Sequence, residues 1–157
     1  MLGAIEDDKL ISEYGKEVAR QCKEMGIQIN FAPDIDVNSN TDNPVIGLRS
    51  FGENPRAVAD KGIAYARGLE TAGIISVAKH FPGHGDTSDD SHNTLPAVHH
   101  DRARLDSVEL YPFKRYIYDG YAGVMTGHLY VPALDKTRNL PSSFSRPIVT
   151  GLLQEEL

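Results

Sequence analysis

The residues best equipped for chemistry crowd between Lys79 and His92, in the run Lys79-His80-Phe81-Pro82-Gly83-His84-Gly85-Asp86-Thr87-Ser88-Asp89-Asp90-Ser91-His92. Three histidines, one lysine and three aspartates within fourteen residues are hard to account for by packing. Asp90-Ser91-His92 puts a carboxylate two residues before an imidazole. A carboxylate that accepts a hydrogen bond from one ring nitrogen fixes the tautomer and stabilises the imidazolium, leaving the other nitrogen to deliver or take a proton. The D-x-H spacing alone is common in loops; its place in this cluster makes it an acid/base candidate. Lys79 and His80 can hydrogen-bond a polyhydroxylated ligand, the alternative for His80 being a histidine satisfied in the core. His84, between Gly83 and Gly85, either joins the chemistry or holds the loop in shape.

Two further segments contribute. Arg49, in Arg49-Ser50-Phe51-Gly52, carries a rigid fork of donors that suits adjacent hydroxyls or a carboxylate. An ion pair with Asp34 or Asp36 is the other reading. His128 follows Met125-Thr126-Gly127 and is read as support or as substrate contact, whereas His99-His100, ahead of Asp101-Arg102, is expected in solvent. Rival chemistries fit less well. A divalent metal on His80, His84, Asp86 and His92 would be best served by a helix, which Pro82, Gly83 and Gly85 oppose. The chain has no G-x-S-x-G nucleophile elbow, no G-x-G-x-x-G and no Walker loop, which removes the usual serine-hydrolase and nucleotide signatures.

The elements that must position these groups can be read from periodicity. Leu10, Ile11, Tyr14, Val18 and Cys22 fall at spacings of three and four, predicting a helix from Asp7 to Met25 closed by Gly26. A strand follows at 27–32. Pro55 opens a second helix that carries Val58, Ala59, Ile63, Ala66 and Leu69 to a stop at Gly73. Ile74 to Ala78 is short, apolar and β-branched, the mark of a strand buried on both faces. The pattern repeats with a helix from Arg102 to Tyr118, a strand at 122–126 and a final helix from Arg146 to Leu157 capped by Ser145. Alternating helix and strand point to parallel pairing through right-handed crossovers. The glycine turns from helix to strand are short, while each strand-to-helix loop runs to about sixteen residues or more, against the usual 2–6 or so. In βα folds, ligand sites lie where such loops leave the strands.

Composition fits one domain over residues 1–157. Hydrophobic residues make up 40% of the chain, enough for a core, and a formal net charge of −6 lacks the basic footprint of nucleic-acid binding. No run approaches the roughly 18 to 20 apolar residues of a membrane span, and Met1-Leu2-Gly3 leads into Glu6-Asp7-Asp8 rather than a signal peptide. Cys22 has no second cysteine to pair with.

The order of Phe31-Ala32-Pro33-Asp34-Ile35-Asp36-Val37-Asn38, Asn43-Pro44-Val45-Ile46-Gly47, Arg49-Ser50-Phe51-Gly52, Lys79-His80-Phe81-Pro82-Gly83-His84-Gly85-Asp86-Thr87, Asp90-Ser91-His92 and Leu95-Pro96 resembles the N-terminal catalytic domain of glycoside hydrolase family 3, in its bacterial β-N-acetylglucosaminidase branch. The resemblance covers nearly the whole chain. It implies an α/β fold of the (β/α)8 TIM-barrel type, present here as about three βα units with flanking helices. The implied activity is removal of terminal β-linked N-acetylglucosamine from cell-wall-derived or chitin-derived glycans with retention of configuration, without metal or cofactor. It implies His92 as acid/base supported by Asp90, and Arg49, Lys79 and His80 as substrate-binding residues. Histidine would then replace one carboxyl group of the usual glycosidase pair. The other, an aspartate nucleophile, is expected beyond Leu157, and the first barrel strands with their acidic sugar-binding residue before Met1. The chain would thus be a central piece of a longer enzyme of the bacterial cytoplasm or periplasm. A family 3 β-glucosidase and a non-catalytic sugar-binding fragment are the alternatives.

Overall fold

In the computed structural model, residues 2–88, 95–121 and 123–157 are described. Asp7 accepts a hydrogen bond from the Lys9 backbone N–H at 2.9 Å and starts α1 (Asp8–Glu24), which buries Ile11, Gly15, Ala19 and Cys22. Asn54 does the same for α2 (Pro55–Thr71) through the N–H groups of Arg56 and Ala57, with Pro55 in the first turn, where a missing N–H costs nothing. The two helices lie against each other. At their contact a side chain on Gly15 would press on the Tyr65 carbonyl, and one on Gly68 would run into the backbone of Ser12. Glycine at both places is what lets the helix backbones approach.

The strands are β1 (Ile29–Asn30), β2 (Ile75–Ser76), β3 (Ala78–Phe81) and β4 (Val124–Thr126). β1 pairs with β2 and β3 with β4, both in parallel. Val77 joins the two pairs, donating its N–H toward the carbonyls of Asn30 and Ala32. One extended segment therefore swings from the first neighbour to the second, so strands of consecutive βα units lie side by side. The expected strand at 74–78 is present, but it is not buried on both faces. Ser76 faces the helices, bonded to Glu70 at 2.7 Å and Tyr116 at 2.6 Å, whereas Ile75 is 53% exposed and its partner Ile29 48%. Successive side chains of a strand point to opposite faces, and among the described residues helices cover only one of them.

The helix expected from Arg102 to Tyr118 is two helices, α3 (Arg102–Ser107) and α4 (Tyr111–Tyr118). Pro112 has no N–H to continue the ladder and instead sits in the first turn of α4. The break turns Glu109 inward, where it is 1% exposed and 3.2 Å from Arg104. α5 (Pro147–Glu156) carries i→i+5 bonds, such as Leu157 N–H to the Leu152 carbonyl. The core lies between helices and sheet, with Leu69, Phe81, Leu105, Leu110, Phe113 and Tyr116 fully or almost fully buried. No described helix is long and apolar enough to cross a membrane.

Candidate active site at the strand ends

The chain leaves β1 extended, and Ile35 and Val37 turn into the core while Asp34 and Asp36 turn the other way. A parallel bridge joins Asp34 to Lys79, which brings the first loop against the end of β3. Asp36, with no exposed surface, becomes the node of the site. Its Oδ1 accepts the His84 backbone N–H at 2.7 Å; its Oδ2 accepts the His80 backbone N–H at 3.1 Å and lies 2.7 Å from His80 Nδ1. A buried carboxylate oxygen needs donors, so Nδ1 carries the ring proton and Nε2 keeps its lone pair. That Nε2 lies 3.4 Å from Arg49 Nη2, which is also 3.3 Å from Asp34 Oδ2. Arg49 Nη1 is held by the Val45 carbonyl at 3.2 Å.

Of the two readings of Arg49, the structure shows the ion pair with Asp34, and the side chain remains 42% exposed at a cleft of about 380 Å³. Val45, His80, His84, Met125 and His128 also line that cleft. On the other side of Arg49, Lys79 faces a hollow of about 200 Å³ with Asp34, Phe51 and Tyr65. The Lys79–His80 and Phe81–Pro82 peptide bonds are cis. The structure thus brings Arg49, Lys79 and His80 together. Asp90 and His92 lie outside the described residues.

Burial dominates the electrostatics. It raises the Asp34 carboxyl to about 7, with help from Asp36 and against the pull of His80 and Arg49. It also pushes Asp36 up, opposed by the N–H groups of His84 and His80. The Lys79 ammonium is lowered by burial and by neighbouring Arg49. His84 is lowered by burial; its Nδ1 meets Thr87 Oγ1 at 2.7 Å while Asn43 holds its carbonyl at 2.8 Å. Next to it, a side chain on Gly85 would strike the Val37 carbonyl. His84 thus shapes the loop. His128 lines the cleft, with Nδ1 3.1 Å from Ser143 Oγ.

Two findings differ from the sequence expectation. His100 is not left in solvent: its Nε2 lies 2.5 Å from Asp86 Oδ2, and the pair is only about 30% exposed. Ser39 fixes the other oxygen of Asp86 at 2.8 Å, which leaves this one aimed at the ring. The second is the central place of Asp36, which accepts from both His80 and His84. Its signal was available in Asp34-Ile35-Asp36-Val37, where alternating apolar residues enter the core and force both carboxylates toward one side.

Ligand-type atoms of Asp34, Asp36 and His80 come within 4.8 Å of one another. Among the described residues both Asp36 oxygens already have donors from His80 and His84, while Asp34 has the Arg49 guanidinium beside it as an ion pair.

A parallel α/β arrangement with its ionisable groups gathered where the strands end is the architecture in which βα enzymes build their sites. The whole chain, residues 1–157, matches the Glycosyl hydrolase family 3 N terminal domain, and it belongs to that family. It is 44% identical to beta-hexosaminidase A of Pseudoalteromonas piscicida over 99% of its own length and 27% of that protein's. A glycoside hydrolase family 3 beta-N-acetylglucosaminidase from Paenibacillus sp. str. FPU-7 has the same fold, with a TM-score of 0.94 and 45% identity over 97% of this chain and 29% of that one. Zn bound CbsA from Thermotoga neapolitana matches with a TM-score of 0.87 and 36% identity, covering 98% of this chain and 32% of that one. The chain therefore spans about a third or less of the length of these relatives.

Proposed function

We propose that residues 1–157 form part of a (β/α)8-type barrel in a retaining exo-β-N-acetylglucosaminidase acting on cell-wall or chitin-type glycans. The observation that carries this reading is the chain Asp36–His80–Arg49–Asp34, in which two buried carboxylates hold an imidazole and a guanidinium at the edge of the cleft. A sugar hydroxyl both gives and accepts hydrogen bonds. Arg49 and Lys79 supply donors to its oxygens, and the buried carboxylates of Asp34 and Asp36 hold Arg49 and His80 in place for that contact. Similarity to a beta-hexosaminidase and a beta-N-acetylglucosaminidase supports the N-acetyl sugar over glucose.

In this proposal an aspartate elsewhere in the protein attacks the anomeric carbon while His92, supported by Asp90, gives its proton to the departing oxygen. Water then attacks the glycosyl-enzyme bond and returns a proton to His92, releasing the carboxylate and a sugar of retained configuration. The Asp34–Asp36–His80 cluster and the zinc in CbsA raise a metal-assisted reading, but the ion pair on Asp34 and the donors on Asp36 favour a sugar-binding role.

The test is His92→Ala in the full-length protein. Protonation matters most for a poor leaving group, so hydrolysis of an alkyl or sugar aglycone should slow by roughly 10²- to 10⁴-fold, and glycosylation by an activated aryl glycoside far less. Azide should rescue the second half-reaction. Equal losses on both substrates without azide rescue would remove His92 from proton transfer.

A further inference from the structure

The pair between Asp86 and His100 belongs to none of the groups assigned above. Asp86 stands in the motif run after His84, and His100 lies fourteen positions later, just ahead of α3. Each end of the intervening stretch is tied to a different part of the molecule. Upstream, Ser39 Oγ donates to Asp86, and Asn40 Nδ2 reaches the Thr87 carbonyl at 3.2 Å and Ser88 Oγ at 3.3 Å, so this end is fastened to the first loop. Downstream, Val98 N–H bonds the Tyr130 carbonyl at 2.9 Å and Tyr130 N–H bonds the Pro96 carbonyl at 2.8 Å, so that end is fastened to the chain beyond β4. The bond of 2.5 Å from His100 Nε2–H to Asp86 Oδ2 joins the two ends directly. Beneath it the α3–α4 turn packs hard on the loop, since a side chain on Gly83 would meet Glu109 Cβ at 2.7 Å.

From this geometry we infer that Asp86 and His100 form a clasp across the base of the segment that carries Asp90 and His92, and that His100 is a positioning residue for the acid/base step. The inference rests on the assignment of His92 under the proposed function. The bond closes the chain between Asp86 and His100 into a loop joined at its two described ends, and the reacting proton needs its donor held within hydrogen-bond reach of the departing oxygen. Among the described residues His100 does not line the cleft that Arg49, His80 and His128 share, so it is assigned as a positioning residue rather than a catalytic one.

The experiment compares His100→Ala, His100→Gln and Asp86→Ala with His92→Ala in the full-length enzyme, using one alkyl and one activated aryl N-acetyl-β-glucosaminide. Partial exposure of the pair should let all variants fold, and melting temperatures check this. His100→Ala should lower kcat on the alkyl glycoside by about tenfold, the scale of one lost hydrogen bond, with KM unchanged and glycosylation by the aryl substrate nearly intact. Asp86→Ala should follow it, and the double variant should lose no more than either single one. His100→Gln keeps an N–H donor and should recover most of the rate. A selective loss on the alkyl glycoside with glutamine rescue supports the clasp. Equal losses on both substrates, a change confined to KM, or no loss overturns it while His92→Ala still shows its leaving-group dependence. If His92→Ala shows none, the acid/base assignment fails first and the clasp with it.

Discussion

On the helical side of the sheet, α1 and α2 touch through Gly15 and Gly68, and Phe81 meets Phe113 edge to face with ring centroids 5.3 Å apart. At the strand ends of the same sheet, Asp34, Asp36, Lys79, His80 and Arg49 are drawn together with two carboxylates out of water. The first region buries apolar surface, which stabilises wherever shapes fit. The second buries charge, which stabilises little by itself and demands a partner for every atom. The contrast suggests that the helical layer holds the strand ends at their spacing, and that the strand ends spend stability on a prearranged set of donors and acceptors. Phe81 links the two, as the last residue of β3 and a fully buried part of the core.

The contrast can be broken first from the helical side. Phe113→Ala removes a fully buried ring from beneath Phe81 and should cost about 3–5 kcal/mol in denaturant unfolding. Because Phe81 follows His80, binding of N-acetylglucosamine should weaken as well. A large loss of stability with unchanged binding would show that the two regions are independent. Gly68→Ala is a smaller intrusion. Its methyl would force α2 away from Ser12 and Gly15, and about 1–3 kcal/mol should be lost. A neutral result would mean that the helices can part without consequence for the sheet.

From the polar side the expected effect is smaller and depends on pH. The Asp34 carboxyl is raised from 3.8 to about 7 by burial, so the folded state holds its proton more tightly than the unfolded chain. Stability from this group is complete below pH 4 or so and is lost as pH rises toward 7. Asp34→Asn keeps the shape and removes the titration. The variant should therefore gain on the wild type as pH rises through this window, in melts recorded from pH 4 to 8. A difference that stays flat, or that grows toward low pH, would mean that the ion pair with Arg49 outweighs burial.

The sequence was informative where a single physical requirement ruled the choice of residue. The spacing of Ile11, Val18 and Cys22, the caps Asp7 and Asn54, and the glycine turns made α1 and α2 legible. The motif residues Arg49, Lys79 and His80 were legible as a set, and the structure brings them together. Two features depended on tertiary context. The break in the third predicted helix turns on Pro112 favouring a new first turn over continuation, which periodicity alone does not decide. The pairing of His100 turns on an oxygen of Asp86 left over after Ser39 has bound the other, a fact of three segments meeting. At Ile75 the apolar run does not say how many faces are covered, and the structure leaves the side chain exposed.

The central claim is that the strand-end cluster binds and positions a terminal N-acetyl-β-glucosaminide for hydrolysis. Its most direct test is kcat/KM of the full-length protein on a chromogenic N-acetyl-β-glucosaminide, measured beside Arg49→Ala. The account predicts turnover by the wild type and a loss of about 10- to 100-fold or more in the variant, as expected when donors to a bound substrate are removed, with a melting temperature close to that of the wild type. A wild type that leaves this substrate intact, or an Arg49→Ala variant that cleaves it equally well, would contradict it.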